Sequence, residues 1–193
     1  TADGRVGPGE WLGVHGCGGV GVSAVQIGVA LGARVLAVDV ADGPLEAARS
    51  LGAQAVVDSS ASGPAETAAA VRELTGGGAH VSLDAFGSAG TCLSSVRGLR
   101  RRGRHVQVGL LFGEAATPPI PMDVVTAHEL EIYGSHGMPA HDYPQLLGML
   151  ADGGLRPEEL IGETIGLAET PAALAAMDAP TTGTGMTVVE LPG

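Results

Sequence analysis

Six residues near the start of the chain have the spacing of a phosphate-binding loop. The segment Gly16-Cys-Gly18-Gly-Val-Gly21 follows a short apolar run and precedes a stretch of helical composition. In a G-x-G-x-x-G loop the first glycine permits a tight turn, the second lets a diphosphate approach the backbone, and the third lets a helix pack closely on a strand. The helix N-terminus adds unpaired N–H groups and about half a positive charge. The loop predicts a dinucleotide site that includes Gly16, Gly18, Gly19 and Gly21.

An acidic residue follows at the distance that such a site requires. Asp39 comes 18 residues after Gly21 and ends the next apolar run, close to the roughly 20 residues expected for a ribose-binding carboxylate. There the carboxylate accepts both hydroxyls of the adenosine ribose. A 2′-phosphate would meet like charge at a cost on the order of a few kcal/mol, so Asp39 predicts NAD(H) rather than NADP(H). The alternative is a chance glycine loop and an aspartate that caps a turn.

The elements that must position these residues alternate between strands and helices. The predicted strands of the first part are Trp11–His15, Arg34–Asp39, Ala55–Asp58, His80–Asp84 and Arg104–Gly109. The predicted helices between them are Val20–Gly32, Pro44–Gly52, Pro64–Thr75 and Ser88–Leu99. Near-continuous apolar strands that alternate with helices predict an α/β fold, a Rossmann-type doubly wound parallel sheet covered on both faces. Further on we expect a strand at Leu130–Ser135, helices near Tyr143–Gly153 and Pro171–Met177, and a strand at Met186–Leu191.

Composition excludes several kinds of chemistry. The 193 residues contain ten arginines and no lysine, so the chain has no Schiff-base lysine, no P-loop lysine and no Tyr-x-x-x-Lys pair of the short-chain dehydrogenases. The net charge of −11 argues against nucleic-acid or anionic-membrane partners. Two cysteines, Cys17 and Cys92, cannot form a four-cysteine zinc site, and we expect reduced thiols in a cytoplasmic protein. No apolar run reaches the length of about 18 residues that a membrane span requires.

Other residues with reactive side chains give no catalytic or metal prediction. His128, His136 and His141 are separated by eight and five residues, which fits no common zinc pattern, so ordinary surface histidines are expected. Cys17 has two open interpretations: a thiol whose pKa is lowered at a helix N-terminus, or a small residue tolerated in the loop. The basic run 100–102 is expected to solvate a helix end and its turn.

Several blocks resemble the nucleotide-binding half of the medium-chain, zinc-type alcohol dehydrogenases. They follow the family's order and spacing over nearly the whole chain and comprise Pro8–Gly21, Leu45–Ala53, Leu83–Gly87, Arg102–Gly109, His128–Ser135 and Gly185–Val189. The resemblance implies that Val20 packs behind the nicotinamide ring. It also implies that backbone groups after the later strands hold the carboxamide, at Ala85, Phe86, Gly87, Val108, Gly109, Leu110, Gly134, Ser135 and His136.

Two positions depart from the family pattern. The family usually places Lys or Arg just before the leucine of its second helix, where this chain has Pro44, so a ribose contact is missing. Near the end the family often has Gly-Lys-Val, where this chain has Gly185-Met186-Thr187.

The family's N-terminal GroES-like catalytic domain, which carries the zinc ligands and the proton relay, has no counterpart in this chain. We therefore expect residues 1–154 to form an NAD-binding domain. Residues 155–193 would be the segment that in the family packs on the catalytic domain, and we expect it to be poorly anchored or repacked here.

The resulting functional hypothesis is the NAD(H)-binding part of a zinc-type alcohol dehydrogenase. In the whole enzyme hydride would pass between an alcohol or aldehyde and the cofactor, with zinc held only by the other half. The chain alone is expected to bind coenzyme without turnover. The resemblance also implies a homodimer joined through the edge strand 130–135. Two alternatives stay open: a zinc-free quinone or enoyl reductase, which usually prefers NADP(H), and a repurposed domain with a scaffold or non-redox role.

Overall fold

Six parallel strands form the main sheet of the computed structural model, which describes residues 4–177 and 185–191. Their spatial order is β3-β2-β1-β4-β5-β6, the order of a sheet wound outward in both directions from its first strand. The strands are β1 (Trp11–His15), β2 (Arg34–Asp39), β3 (Ala55–Asp58), β4 (Ala79–Asp84), β5 (Leu99–Gln107) and β6 (Glu131–Gly134). The doubly wound α/β fold predicted from the sequence is confirmed.

Helices cover both faces of this sheet. The described helices are α1 (Gly19–Ala30), α2 (Asp42–Ser50), α3 (Pro64–Leu74), α4 (Ala89–Arg97), α5 (Met122–His128), α6 (Tyr143–Ala151) and α7 (Thr170–Ala176). Val22 and Val25 of α1 pack with Val14 on one face, whereas Val71 of α3 packs with Leu36 on the other. All five residues of β1 are buried, as expected for a strand covered on both sides. Within the described ranges, no helix is long and apolar enough to span a bilayer.

The fifth strand begins earlier than the sequence indicates. The prediction placed its start at Arg104, whereas β5 begins at Leu99 and the register against β4 shifts between Ala79 and Val81. Arg102 lies inside this irregular stretch with φ +58°, a left-handed conformation that non-glycine residues rarely adopt. The prediction missed this part of the strand because an arginine-rich bulge lacks the alternation of apolar and polar residues that is typical of a strand.

One α-helix and one strand of the described residues were not predicted at all. α5 is a seven-residue helix directly after the proline-rich segment 117–121, and β7 (Ile161–Gly166) pairs in parallel with β8 (Met186–Glu190) as a separate two-stranded sheet. The β7 sequence IGETIG contains two glycines and a glutamate, residues that are depleted in strands. Pairing with β8, rather than local preference, makes it a strand.

The C-terminal segment, expected to be poorly anchored, has specific contacts where it begins. The side-chain amide of Gln26 in α1 donates to the carbonyl oxygen of Arg156 over 3.0 Å and accepts from its N–H over 3.0 Å. Leu160 is buried in the same core as Val22. Residues 156–160 are therefore attached to α1. Residues 178–184 and 192–193 of the expected segment lie outside the described residues.

Candidate functional site

The glycine loop connects the end of β1 to the first turn of α1. Gly16 has φ +87°, and a Cβ atom on Gly21 would overlap the carbonyl oxygen of Gly16. Gly18 precedes α1 as its N-cap, and a Cβ atom there would meet no heavy atom within 4 Å. The turn therefore requires glycine at Gly16, and the packing of α1 requires glycine at Gly21. Gly18 faces open space. Its neighbours Gly19, Val20 and Gly21 have amides that precede the first intrahelical donor, Val22, so they are available to an anion.

Asp39 is held against this loop by backbone donors. Its Oδ2 atom accepts from the N–H of Cys17 over 2.7 Å, and Oδ1 accepts from the N–H groups of Val40 and Ala41 over 2.8 and 3.1 Å. A carboxylate offers about four acceptor positions, so capacity for one further donor remains. The structure thus fixes an acceptor beside the glycine loop, at the place where the sequence predicted the ribose contact.

Cys17 has no features of a reactive thiol. The residue is fully buried, and its Sγ atom lies 3.7 Å from the carbonyl oxygen of Val38. Burial, together with the nearby Asp39 carboxylate, raises the pKa of the thiol to about 12. Of the two interpretations of this cysteine, the lowered pKa is therefore wrong, because desolvation opposes the thiolate more than the helix N-terminus favours it.

Two further loops meet the glycine loop at the carboxyl edge of the sheet. One contains Ala85, Phe86 and Gly87 after β4, and the other contains Val108, Gly109 and Leu110 after β5. Gly87 has φ +89°, and a Cβ atom on it would overlap Leu110, whereas one on Gly109 would overlap the amide nitrogen of Gly87. A Cβ atom on Gly16 would lie 2.8 Å from Cβ of Phe86. Three backbone segments are therefore in direct contact without intervening side chains.

A cleft of about 300 Å³ opens beside these loops. Its lining includes six residues predicted for the nicotinamide end and two that sequence reasoning missed, Gln107 and Leu111. The lining residues are Gln107, Val108, Gly109, Leu110, Leu111, Gly134, Ser135 and His136. Val20, Phe86 and Leu110, which the resemblance places at the nicotinamide end, expose 54%, 68% and 53% of their surface and are therefore accessible to a ligand. A glutamine inside the apolar run RHVQVG was the available signal for Gln107.

A buried polar layer lies beneath the same edge, between the sheet and α4. Asp84, His105 and His15 are all fully buried. His105 Nδ1 lies 2.9 Å from Ser95 Oγ, and His15 Nδ1 lies 3.2 Å from Ser94 Oγ. Burial, with a smaller contribution from His105, lowers the pKa of His15 to about 3, and burial also lowers the pKa of His105. Both imidazoles are therefore neutral at pH 7.

One residue of the two-stranded sheet formed by β7 and β8 contacts the start of α1. Met186 of β8 lies where the resembled family often has lysine, and a Cβ atom on Gly19 would lie 2.8 Å from its Cγ. A thioether therefore occupies the space beside the first turn of α1. Pro44, at the other position where a cation is expected, is buried in α2.

Most arginines lie at the amino edge of the sheet, away from the glycine loop. Helices here run antiparallel to the strands, so the last turns of α2, α3 and α4 lie at the edge where the strands start. The arginines of these last turns, with those at the starts of β2 and β5, are Arg49, Arg72, Arg97, Arg34, Arg100, Arg101, Arg102 and Arg104. The carboxyl edge instead has acidic strand ends at Asp39, Asp58 and Asp84. Ligand phosphates there must rely on backbone N–H groups.

Comparison with known proteins identifies the family. The zinc-binding dehydrogenase family matches residues 19–152. The chain belongs to this family. It is 35% identical over 146 residues to an alcohol dehydrogenase of Geobacillus stearothermophilus, covering 76% of this chain and 41% of that protein. It is 31% identical over 170 residues to an NAD-dependent alcohol dehydrogenase of Sulfurisphaera tokodaii, covering 86% and 47%.

The solved structure of an alcohol dehydrogenase shows the same fold. The alcohol dehydrogenase of Thermus sp. ATN1 superposes with a TM-score of 0.82 at 28% identity, covering 98% of this chain and 55% of that one. The chain thus spans about half the length of the relatives it matches. The resemblance to the nucleotide-binding half of zinc-type alcohol dehydrogenases is confirmed.

The family implies two bound groups, a dinucleotide and a zinc ion, and the described residues fit only the dinucleotide. The open space at Gly18, the fixed Asp39 carboxylate and the contact between Gly87 and Gly109 fit an extended dinucleotide. By contrast, in the part of the chain that the structure describes, no three His, Cys, Asp or Glu side chains are grouped to hold a metal ion. The residues described here therefore do not fit a zinc site, and we assign them no step that requires zinc.

Proposed function

We propose that this chain binds NAD(H) across the carboxyl edge of its sheet. The observation that carries the proposal is the pairing of an open glycine, Gly18, with a carboxylate, Asp39, that is already fixed beside it. The diphosphate lies on the first-turn amides of Gly19 to Gly21, and the adenosine ribose donates to Asp39. The nicotinamide enters the cleft lined by Gly109 and Ser135.

Asp39 supports NAD(H) in preference to NADP(H). A 2′-phosphate at the ribose would face the Asp39 carboxylate, and no lysine exists in the chain to neutralise it. The position before Leu45 is a proline rather than a base. The Sulfurisphaera tokodaii relative is described as NAD-dependent, which agrees with this preference.

In the whole protein this site serves hydride transfer between an alcohol or aldehyde and NAD. The chain contributes binding and orientation of the cofactor, which supplies the hydride-accepting ring when bound. Zinc and the substrate groups come from residues outside this chain, as the resemblance implies. The chain alone binds coenzyme without alcohol turnover, and NADH formation from simple alcohols by this chain would contradict this part of the proposal.

The proposal includes a homodimer joined at β6 and a cytoplasmic location. β6 is the outermost strand of its sheet, and Ile132 exposes 42% of its surface there. An exposed strand edge offers unpaired backbone groups to a second copy. Cys17 and Cys92 are both buried and free, in accordance with a reducing compartment.

Calorimetric titration of the chain with NAD+, NADH and NADP+ tests the binding proposal. Calorimetry is preferable to tryptophan fluorescence because Trp11 begins β1, at the opposite end from the glycine loop, under the guanidinium of Arg34. The diagnostic variant is Gly18→Val, whose side chain projects into open space and so leaves the fold intact while blocking the diphosphate. Gly148→Val, also in open space but on α6, is the matched control.

We expect Gly148→Val to bind NAD+ and NADH with the same affinities as the wild type. Gly18→Val should bind each of them at least about tenfold more weakly. A wild type that binds none of the three nucleotides, while remaining folded, would favour the repurposed-domain alternative. The methionine at 186 and the proline at 44, which stand where cations are expected, are the specific features that favour this alternative.

A further inference from the structure

One carboxylate organises the turn that follows β4. Asp84 is fully buried, and its Oδ1 atom accepts from the N–H groups of Phe86 and Gly87 over 3.0 and 2.9 Å. Its Oδ2 atom accepts from Gln107 Nε2 over 2.9 Å and from Thr91 Oγ1 over 3.1 Å. Four donors use the full acceptor capacity of a carboxylate. Asp84 therefore determines the path of the backbone at Phe86 and Gly87.

Gln107 connects this turn to the loop after β5. Its Nε2 atom donates both to Asp84 and to the carbonyl oxygen of Gly109, over 2.9 and 2.8 Å. Its Oε1 atom lies 3.2 Å from His105 Nε2. An amide oxygen can only accept, so His105 carries its proton on Nε2, and its Nδ1 atom accepts from Ser95. The orientation of the Gln107 amide is thereby set from both ends.

The two loops joined in this way contact each other through glycine backbones. A Cβ atom on either Gly87 or Gly109 would overlap the other loop, and the loop after β5 lines the cleft proposed for the nicotinamide. The diphosphate and ribose contacts at Gly18 and Asp39 belong to the loops after β1 and β2 instead. The hydrogen-bonded pair therefore acts on one end of the cofactor.

We propose that Asp84 and Gln107 are positioning residues for the nicotinamide half of the cofactor. They hold the backbone of the loops at Gly87 and Gly109 in the arrangement that receives the carboxamide. Gln107, whose side-chain bonds go to Asp84, Gly109 and His105, does not affect the ADP half. This inference rests on the proposed function. Beyond that function, it assigns two side chains that favour binding of the intact dinucleotide over a fragment that lacks nicotinamide.

Comparison of NAD+ with ADP-ribose isolates this role, because ADP-ribose lacks nicotinamide and keeps the rest of the ligand. The variant Gln107→Met preserves side-chain length and removes both donors. We expect NAD+ to bind about tenfold more weakly, as for loss of a hydrogen bond to a charged group, and ADP-ribose to change by less than about twofold. Both dissociation constants are measured by calorimetry on the full chain.

A control in the same polar layer separates positioning from general stability. Ser94→Ala removes the hydroxyl that bonds to His15 and to the carbonyl oxygen of Thr91 but leaves the bonds from Gln107 to Asp84, Gly109 and His105. We expect a lower melting temperature with an unchanged ratio of the two dissociation constants. If Gln107→Met does not fold, Gln107→Asn, which keeps the amide but shortens the side chain, is expected to change the ratio in the same direction by a smaller factor.

Each outcome bears on a different claim. Equal weakening of NAD+ and ADP-ribose in Gln107→Met, or no change in either, overturns the positioning role. A wild type that binds both ligands with the same affinity also overturns it, while dinucleotide binding stands. A wild type that binds neither ligand refutes the proposed function itself.

Discussion

The side chain of Met186 packs against Gly19, so that a Cβ atom on Gly19 would lie 2.8 Å from Cγ of Met186. This contact brings the second, two-stranded sheet to the first turn of α1, where a diphosphate is proposed to bind. The residue that closes this side of the site is therefore uncharged.

Replacement of Met186 by lysine should strengthen NAD+ binding. An ammonium group beside the diphosphate contributes on the order of 1 kcal/mol at a solvated surface, roughly a fivefold change in the dissociation constant. Thr187→Lys adds the same charge at the next residue of β8, on its opposite face, and should have a smaller effect. Calorimetry that finds Met186→Lys no tighter than Met186→Leu would show that the diphosphate lies elsewhere.

Substitution of Asp39 by asparagine should change the nucleotide preference. Loss of the negative charge removes repulsion of a 2′-phosphate and weakens the hydrogen bond to the ribose. The affinity for NADP+ should therefore rise about tenfold, and the affinity for NAD+ should fall about tenfold. Asp58→Asn is the matched control, because Asp58 ends β3 directly beside Asp39 in the sheet register. Equal affinities of the wild type for NAD+ and NADP+ would contradict the role given to Asp39.

Stability should decline as the pH falls below about 6.5. The folded-state pKa of His15 is lowered to about 3, and that of His105 is also lowered, so the unfolded chain binds protons that the native state excludes. Stability present above the unfolded pKa is lost progressively below it, by up to about 1.4 kcal/mol per pH unit for each histidine.

Urea denaturation at intervals between pH 5 and pH 7.5 measures this slope before most carboxylates titrate. His15→Leu should reduce the slope of the free energy of unfolding against pH by the contribution of one histidine. A free energy of unfolding independent of pH in this range would show that the buried imidazoles become charged in the native state.

Arg102→Gly should stabilise the protein. Arg102 has φ +58° in the bulge at the start of β5, and glycine adopts this conformation without the steric cost of a Cβ atom. We expect a gain of about 1 kcal/mol in the free energy of unfolding. Arg101→Gly removes the same charge at the neighbouring residue, where φ is not positive, and should be neutral or destabilising. A larger gain from Arg101→Gly would assign the effect to charge rather than to backbone strain.

The edge strand gives a test of self-association. Ile132→Lys places a charge on the outermost strand, a substitution that disfavours strand pairing between copies. Sedimentation velocity should change from dimer to monomer for this variant, while Leu74→Lys, at an exposed apolar position on α3, should keep the wild-type state. A wild type that sediments as a monomer would refute the dimer.

The sequence predicted the sheet and the loops around it because each carries a strong local signal. Continuous apolar runs mark β1 and β2, and glycines mark the turn at Gly16 and the close packing of α1 at Gly21. The bulge at Arg102 and the strand β7 were missed because pairing with distant segments, not local composition, creates them. Gln107 was missed for a related reason: a polar residue in an apolar strand has a role only when its partners on other elements are known.

The separation of charge between the two edges of the sheet has a consequence for how fast a ligand arrives. Acidic strand ends at Asp39, Asp58 and Asp84 surround the dinucleotide edge, and the arginines of α2 to α4 and β5 lie at the other edge. An anionic nucleotide therefore approaches against a long-range field and is held only by short-range backbone donors. Because salt screens the field and leaves the donors unchanged, association should be faster at higher ionic strength, the reverse of electrostatically steered binding.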